Sequence, residues 1–143
     1  MEDRYLYKAK TTPKEKGEFN NVWVTGNLIV SNGKYYIHPV GNVVNVKNEI
    51  GRIIVMHEVI PDTICRCTGR EDKNGKLIWE NDIVKDGHGN LYKAFWQNNY
   101  YQFSWICVKT DVFSIGAKWD LWSFKSFEIE VIGNIFDNPE LLK

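Results

Sequence analysis

Leu91-Tyr92-Lys93-Ala94-Phe95-Trp96 and Tyr100-Tyr101-Gln102-Phe103-Ser104-Trp105-Ile106-Cys107-Val108-Lys109, joined through Gln97-Asn98-Asn99, decide the fold. In the second run Tyr101, Phe103, Trp105 and Cys107 alternate with Gln102 and Ser104. A period of two sends successive side chains to opposite faces, so both runs read as half-buried strands of an antiparallel sheet. On the N-terminal side, Asp72-Lys73-Asn74-Gly75-Lys76 and Asp86-Gly87-His88-Gly89-Asn90 read as turns flanking Leu77-Ile78-Trp79 and Ile83-Val84. On the C-terminal side, Phe127, Ile129 and Val131 alternate with Glu128 and Glu130. Short strands separated by tight turns are the pattern of a barrel or sandwich, and this series predicts a small SH3-like barrel over residues 61–143.

The first sixty residues repeat that grammar. Asn32-Gly33 separates Val22-Trp23-Val24-Thr25-Gly26-Asn27-Leu28-Ile29-Val30 from Lys34-Tyr35-Tyr36-Ile37-His38. Both turn residues tolerate positive φ, which makes this the clearest hairpin in the chain. Gly26 reads as a β-bulge. Thr11 to Gly17 reads as a loop, while Val43 to Val46 and Arg52 to His57 read as strands, the latter apolar on both faces and therefore central. The expected architecture is mostly β: a strand-rich part over residues 1–60 packed on the barrel of residues 61–143. A short helical turn ends the chain, with Asn138 as N-cap, Pro139 at the first helical position and Glu140 in the first turn. Pro139, Leu141 and Leu142 then form a tail that needs a surface, here or on another subunit.

Composition narrows function. Lys and Arg number 18, and so do Asp and Glu, giving a net charge of zero. A protein that coats nucleic acid draws most of its affinity from phosphate neutralisation and carries a basic surplus, which is lacking here. No basic stretch followed by an apolar run opens the chain, and Ile53-Ile54-Val55-Met56 falls far short of the ~20 residues of a membrane span. A soluble, cytoplasmic protein with no membrane association is expected. The three cysteines, Cys65, Cys67 and Cys107, lack a second Cys or His pair at ligand spacing, so they read as buried thiols and no metal is expected. No cofactor motif is present: Gly87-His88-Gly89-Asn90 lacks the helix and the Lys-Ser/Thr pair of a phosphate cradle.

Some chemistry-bearing residues remain. Glu80 and Asp82, two apart, form a weak acidic site. Paired carboxylates can bind a metal or act as acid and base, but the first reading is a turn in which Asp82 accepts backbone N–H bonds. His38, His57 and His88 are scattered, with His57 structural and His88 exposed in its turn. No catalytic residues are assigned.

Thr68-Gly69, Asp72-Lys73-Asn74-Gly75-Lys76 and Glu80-Asn81-Asp82-Ile83-Val84, followed by Glu130-Val131-Ile132-Gly133-Asn134-Ile135-Phe136-Asp137-Asn138-Pro139-Glu140-Leu141-Leu142, resemble the two signatures of the YopX family. Trp23 to Ile29 and Tyr36-Ile37-His38-Pro39 are also similar. Together they cover more than half of the chain in order. Two positions depart from the pattern: Arg70 stands where the family usually has leucine, and Asn81 where it has glycine. Asn81 tolerates the left-handed backbone, so the turn survives. The resemblance implies a β-rich protein carried by phages or prophages of Gram-positive bacteria, with a C-terminal SH3-like barrel, and it brings no catalytic residues with it.

The aromatics are the functional lead. Six tryptophans are many for 143 residues, and Trp and Tyr favour interfaces because they join a large apolar area to a polar handle. Trp96, Tyr100, Tyr101, Trp119 and Trp122 form the candidate interaction surface. The leading expectation is a non-catalytic interaction or assembly module in the bacterial host cytoplasm, associating with itself as a homo-oligomer and with a host or phage protein. The alternative is a nucleic-acid-binding module of phage replication or early gene control, in which the same rings stack on bases beside Lys93, Lys109, Lys118 and Lys125. The plain reading is that these rings pack against the N-terminal half.

Overall fold

The computed structural model describes residues 6–13, 21–39, 47–48, 51–52 and 56–143. The strand expected at Val43–Val46 and the middle of the one expected from Arg52 to His57 lie outside the described residues, as does the expected loop from position 14 onward. The chain divides into two compact units, Glu2–Arg66 and Cys67–Lys143.

In the first unit, β1 (Tyr7–Lys10), β2 (Trp23–Ser31), β3 (Lys34–Pro39) and β6 (His57–Glu58) form an antiparallel sheet in the order β6-β3-β2-β1, joined on the β1 side by Cys65 and Arg66 at the start of β7 (Cys65–Glu71). The short β4 (Lys47–Asn48) and β5 (Gly51–Arg52) pair with each other. The β2–β3 turn has Asn32 at φ 52° and Gly33 at φ 73°, the two positive values that a two-residue hairpin demands. Ala9, Ile37 and Val59 are buried on one face, with Val24, Leu28 and Tyr35 against them. Thr63 ties this unit's end to β1: its hydroxyl accepts the Lys10 N–H (2.9 Å) and donates to the Ile60 carbonyl (2.7 Å).

Gly26 is not a bulge. Its pairings run in register on both sides, with Tyr7 and with Pro39. The glycine is needed because a Cβ there would stand 1.9 Å from the His38 carbonyl oxygen. Gly26→Ala is therefore expected to force β2 and β3 apart and to destabilise by about 2 kcal/mol. Urea unfolding followed by circular dichroism measures this, and an unchanged midpoint would contradict the close approach.

In the second unit, Cys67–Glu71 of β7 pairs with β8 (Leu77–Trp79). β9 (Asp82–Asp86), β10 (Leu91–Gln97), β11 (Gln102–Lys109), β12 (Lys118–Asp120) and β13 (Ile129–Asn134) form a five-stranded antiparallel sheet in the order β12-β11-β10-β9-β13. The expected barrel does not close: β12 and β13 end the sheet at opposite edges. The core is covered instead by the segment after β12, whose Leu121 and Phe124 pack onto Ile78, Val84, Tyr92, Trp105 and Ile129. β13 is blunted as an edge, because the Val131 N–H is taken by the Asp72 carboxylate (2.9 Å) and the Ile129 carbonyl by the Lys73 N–H (3.0 Å).

Among the described residues, helical structure is limited to 3-10 turns of three or four residues. Phe127, expected in a half-buried strand, lies instead in the turn Ser126–Glu128 and is 72% exposed. There the Glu128 carboxylate accepts the Lys125 N–H (3.0 Å) and bends the chain just before β13. The C-terminal turn Pro139–Leu142 forms, but Asn138 does not cap it. The Asn138 side chain instead accepts the Asn134 N–H (3.2 Å).

Two turns of the second unit share one construction. Asp72 Oδ1 accepts N–H bonds from Asn74 and Lys76 (both 2.9 Å), and Asp86 Oδ1 accepts them from His88 (2.9 Å) and Asn90 (3.0 Å). Gly75 (φ 77°) and Gly89 (φ 85°) return the chain through the left-handed region. Asn81, in the family's glycine position, adopts φ 72° between β8 and β9.

Candidate functional site

The β10–β11 hairpin, β12 and the turn after β12 bring the five sequence-selected aromatics around two adjoining grooves. At the hairpin tip Tyr100 is 67% and Tyr101 82% exposed. Tyr101 holds φ 51°, a left-handed conformation that a bulky residue adopts at the expense of about 1 kcal/mol or more. Trp96 packs edge-on against Phe103, ring centroids 5.0 Å apart. Trp119 is half-buried and meets Tyr92 (5.4 Å) and Phe113 (5.3 Å) edge-on, so it serves chiefly the core.

Trp122 differs from the rest: it is 75% exposed and still held. Its neighbour Leu121 is buried, and the Leu121 carbonyl accepts two bonds, from Trp105 Nε1 (3.0 Å) and from Arg70 Nη1. The Arg70 guanidinium then lies under the Trp122 ring, 4.5 Å from its centroid, and its other arm reaches Ser126 Oγ (3.4 Å). Burial pushes the Arg70 guanidinium below its ordinary value. A delocalised cation is the one that can be buried against a ring face and a carbonyl at once. One indole face is thus fixed and the other is open.

Sequence reasoning had noted Arg70 only as a departure from a leucine pattern. Arg70→Leu is expected to change stability by less than about 1 kcal/mol, because an apolar side chain replaces a desolvated charge. It should also free the ring. Time-resolved tryptophan anisotropy would then gain a fast component, and an unchanged decay would sink the clamp.

Two grooves adjoin these rings. One, about 410 Å³, is lined by Trp96, Tyr101, Phe103, Leu121 and Trp122; the other, about 370 Å³, is mostly polar and lined by Gln97, Tyr100, Ser104, Lys118 and Trp119; Gln102 and Asp120 line both. Gln102 Nε2 donates to Asp120 Oδ1 (3.0 Å) on the line between them.

A third cleft, about 560 Å³, opens between Asp86, Tyr92, Phe113, Phe124 and Phe127. Its three carboxylates are engaged: Tyr92 Oη and Asn90 Nδ2 both donate to Asp86 Oδ2 (2.9 Å each), Glu128 accepts the Lys125 N–H (3.0 Å), and Glu130 pairs with Lys73 Nζ (3.3 Å). Burial pushes the Asp86 carboxyl up, but the bonds from Asn90, Tyr92 and the His88 N–H outweigh it, and the group titrates below the usual carboxylate range. Burial and Asp86 together drive the Tyr92 hydroxyl far up. Neither is poised to exchange a proton near neutral pH.

None of the acidic, cysteine, histidine or tail candidates of the sequence lines either of the two grooves beside the aromatics. Asp82 is buried at the start of β9 and accepts the Trp79 N–H (2.8 Å), while Glu80 is half-buried in the preceding turn. Cys65, Cys67 and Cys107 are buried and outside any disulfide, and burial raises the thiol of Cys107. His38 lies in β3, His57 is buried in β6, and His88 is exposed in the β9–β10 turn. Among the described residues no three His, Cys, Asp or Glu side chains gather as a metal ligand set, and no helix is long and apolar enough to cross a membrane. In the tail, Leu141 is half-buried and Leu142 is 42% exposed. Sequence reasoning missed the exposed Val112, Phe113, Ile115 and Phe127.

Fold and site define an all-antiparallel β protein with a clamped aromatic ledge on its second unit. Comparison with protein families matches residues 3–143 to the family described as YopX protein. The chain belongs to the YopX family. Comparison with curated proteins gave no match.

Proposed function

We propose that this phage-type protein is a non-catalytic interaction module, acting in the cytoplasm of a bacterial host and docking a partner protein on the ledge of Tyr100, Tyr101 and Trp122. The observation that carries this is Trp122: a ring three-quarters exposed yet held by Arg70 loses little entropy on binding, as an interface anchor requires. The exposed Leu142 tail is the proposed contact for self-association. A photo-cross-linking residue placed at position 122, at 142 or at the control position Lys76, in host cells, tests both contacts. A discrete adduct with another protein from 122, and with a second copy from 142, is expected, with neither from 76. Adducts from 122 no more defined than those from 76 would overturn the reading.

A second reading is favoured by one feature of the first unit. Lys8 Nζ and Lys10 Nζ stand over the Trp23 ring, 4.7 and 5.4 Å from its centroid. Residues 2–66 carry nine Lys and Arg against seven Asp and Glu. Aromatic and cation together suit a single-stranded nucleic acid. Quenching of tryptophan emission by oligonucleotides, lost at high salt and in Trp23→Ala, would move this reading ahead; unchanged emission at low salt would remove it.

A further inference from the structure

We propose that the ledge takes an extended, proline-rich segment carrying a basic residue. This rests on the reading of the ledge as a protein-docking surface and names its partner class. An aromatic-walled groove, lined by Trp96, Tyr101, Phe103 and Trp122, lies beside a mostly polar one that holds Gln97, Tyr100, Ser104 and Lys118, and the Gln102–Asp120 hydrogen bond (3.0 Å) divides them. A docked helix needs one continuous apolar trough, and this ridge interrupts it with a carboxylate. A polyproline helix presents bulky rings at regular steps along an extended axis, so one turn fills the aromatic groove and the next carries the basic residue to the polar one beside Asp120.

Hydrogen bonding agrees. A polyproline backbone has unpaired carbonyls and few donors, so its receptor must offer donors. The Trp122 indole N–H has no acceptor among the described residues, and the ring that carries it is oriented by Arg70. Charge agrees as well. Residues 67–143 hold nine Lys and Arg against eleven Asp and Glu, a net charge of −2. Asp120 is exposed and spends one oxygen on Gln102. Lys118, the other charged residue of the grooves, places its ammonium over the Phe95 ring, 5.9 Å from the centroid. A basic residue on the segment would therefore meet Asp120. Pro13, Pro39, Pro61 and Pro139 are far apart and form no proline-rich run within these 143 residues, and the occupant proposed is a segment of another protein.

The test titrates the full chain, labelled with ¹⁵N, with an oligoproline peptide ending in arginine, the same peptide ending in glutamine, and a glycine–serine peptide ending in arginine. The expected result is a saturable shift of the Trp122 indole resonance with the first peptide, weaker binding of the second and none of the third. Trp122→Ala and Tyr101→Ala, each checked for an unchanged circular dichroism spectrum, are expected to weaken binding about tenfold. Asp120→Asn should abolish the preference for arginine over glutamine. A Trp122 resonance unmoved by oligoproline at millimolar concentration, equal binding of the glycine–serine peptide, or a shift produced only by single-stranded oligonucleotide would each overturn the proposal. A discrete protein adduct from position 122 combined with no peptide binding would reject the partner class and leave the docking reading standing. Failure of both experiments would reject both.

Discussion

Replacing Trp105 with alanine is expected to remove about 4 kcal/mol of stability from the second unit. Trp105 is fully buried at the centre of the β10–β11–β12 surface, within a core that includes Ile78, Tyr92, Ala94 and Leu121, and its ring faces Phe124 at 6.2 Å. Truncation leaves a void the size of an indole. Sheet residues on most sides cannot collapse into it, and only the segment carrying Leu121 and Phe124 can relax. The lost hydrogen bond is a minor share, because the Leu121 carbonyl still accepts from Arg70. Trp105→Phe should accordingly lose only about 1–2 kcal/mol. For a unit of this size a 4 kcal/mol loss lowers the melting temperature by roughly 20 °C. Calorimetry of the two variants measures this. A shift of only a few degrees for the alanine variant would mean that the turn after β12, rather than the indole, fills the core. The substitution also loosens Leu121 and, with it, the placement of Trp122.

How much of this was legible depends on the range of the interaction concerned. The Asn32-Gly33 hairpin could be read because two adjacent residues alone settle it, through positive φ at both. The β10–β11 pair could be read because Trp105 and Cys107 are buried on one face, but the alternation holds only in part: Ser104 is buried as well, and Tyr101 lies in the turn before β11, 82% exposed. Closure of a barrel could not be read. Alternation fixes which residues face a core, but the edges of a sheet are settled by what covers them, here Leu121 and Phe124 from an irregular segment. Phe127 was misplaced for the same reason. It extends the alternation of Ile129 and Val131 backwards, and only the bond from the Lys125 N–H to the Glu128 carboxylate reveals that the strand has not yet begun. Gly26 carried a real signal with the wrong cause, because a bulge and a close backbone approach both select glycine.

The site was legible as a set of residue types and not as an arrangement. The sequence placed Trp96, Tyr100, Tyr101, Trp119 and Trp122 on neighbouring elements, and all five line two adjoining grooves. Exposure was hidden: Trp119 and Trp122 are three residues apart, one turned into the core and the other out. The residue that makes the difference, Arg70, lies 52 positions before Trp122 and meets it only in space. Its departure from the leucine pattern was the one available signal. Asp82 drew attention in the sequence for its spacing from Glu80, whereas Asp72 and Asp86 hold the turns that shape the sheet.

Asp72→Ala is expected to destabilise the second unit by about 3 kcal/mol. The carboxylate accepts three backbone N–H bonds, from Asn74, Lys76 and Val131, each 2.9 Å long. The first two form the turn and the third fastens it to β13, so truncation opens the turn and exposes the sheet edge together. The same contacts set an acid response. Burial pushes the Asp72 carboxyl up, but the bonds from Val131, Lys76 and Asn74 and the nearby Lys76 charge outweigh it, and the folded group titrates below its ordinary value. Asp86 behaves alike, held by Asn90, Tyr92 and His88. A folded value below the unfolded one, about 3.9, means that the unfolded chain binds more protons as the pH falls. The stability these carboxylates contribute is therefore complete above that range and is lost as pH falls from about 4 through their folded values. Asp72→Asn, which cannot ionise, should be weaker at neutral pH and should respond less to acid, and Asp72→Asn combined with Asp86→Asn less still. Urea midpoints between pH 2 and pH 6 measure the slopes. Parallel slopes for the wild type and the double variant would place the acid sensitivity elsewhere, and would leave these two turns as geometry without electrostatic consequence.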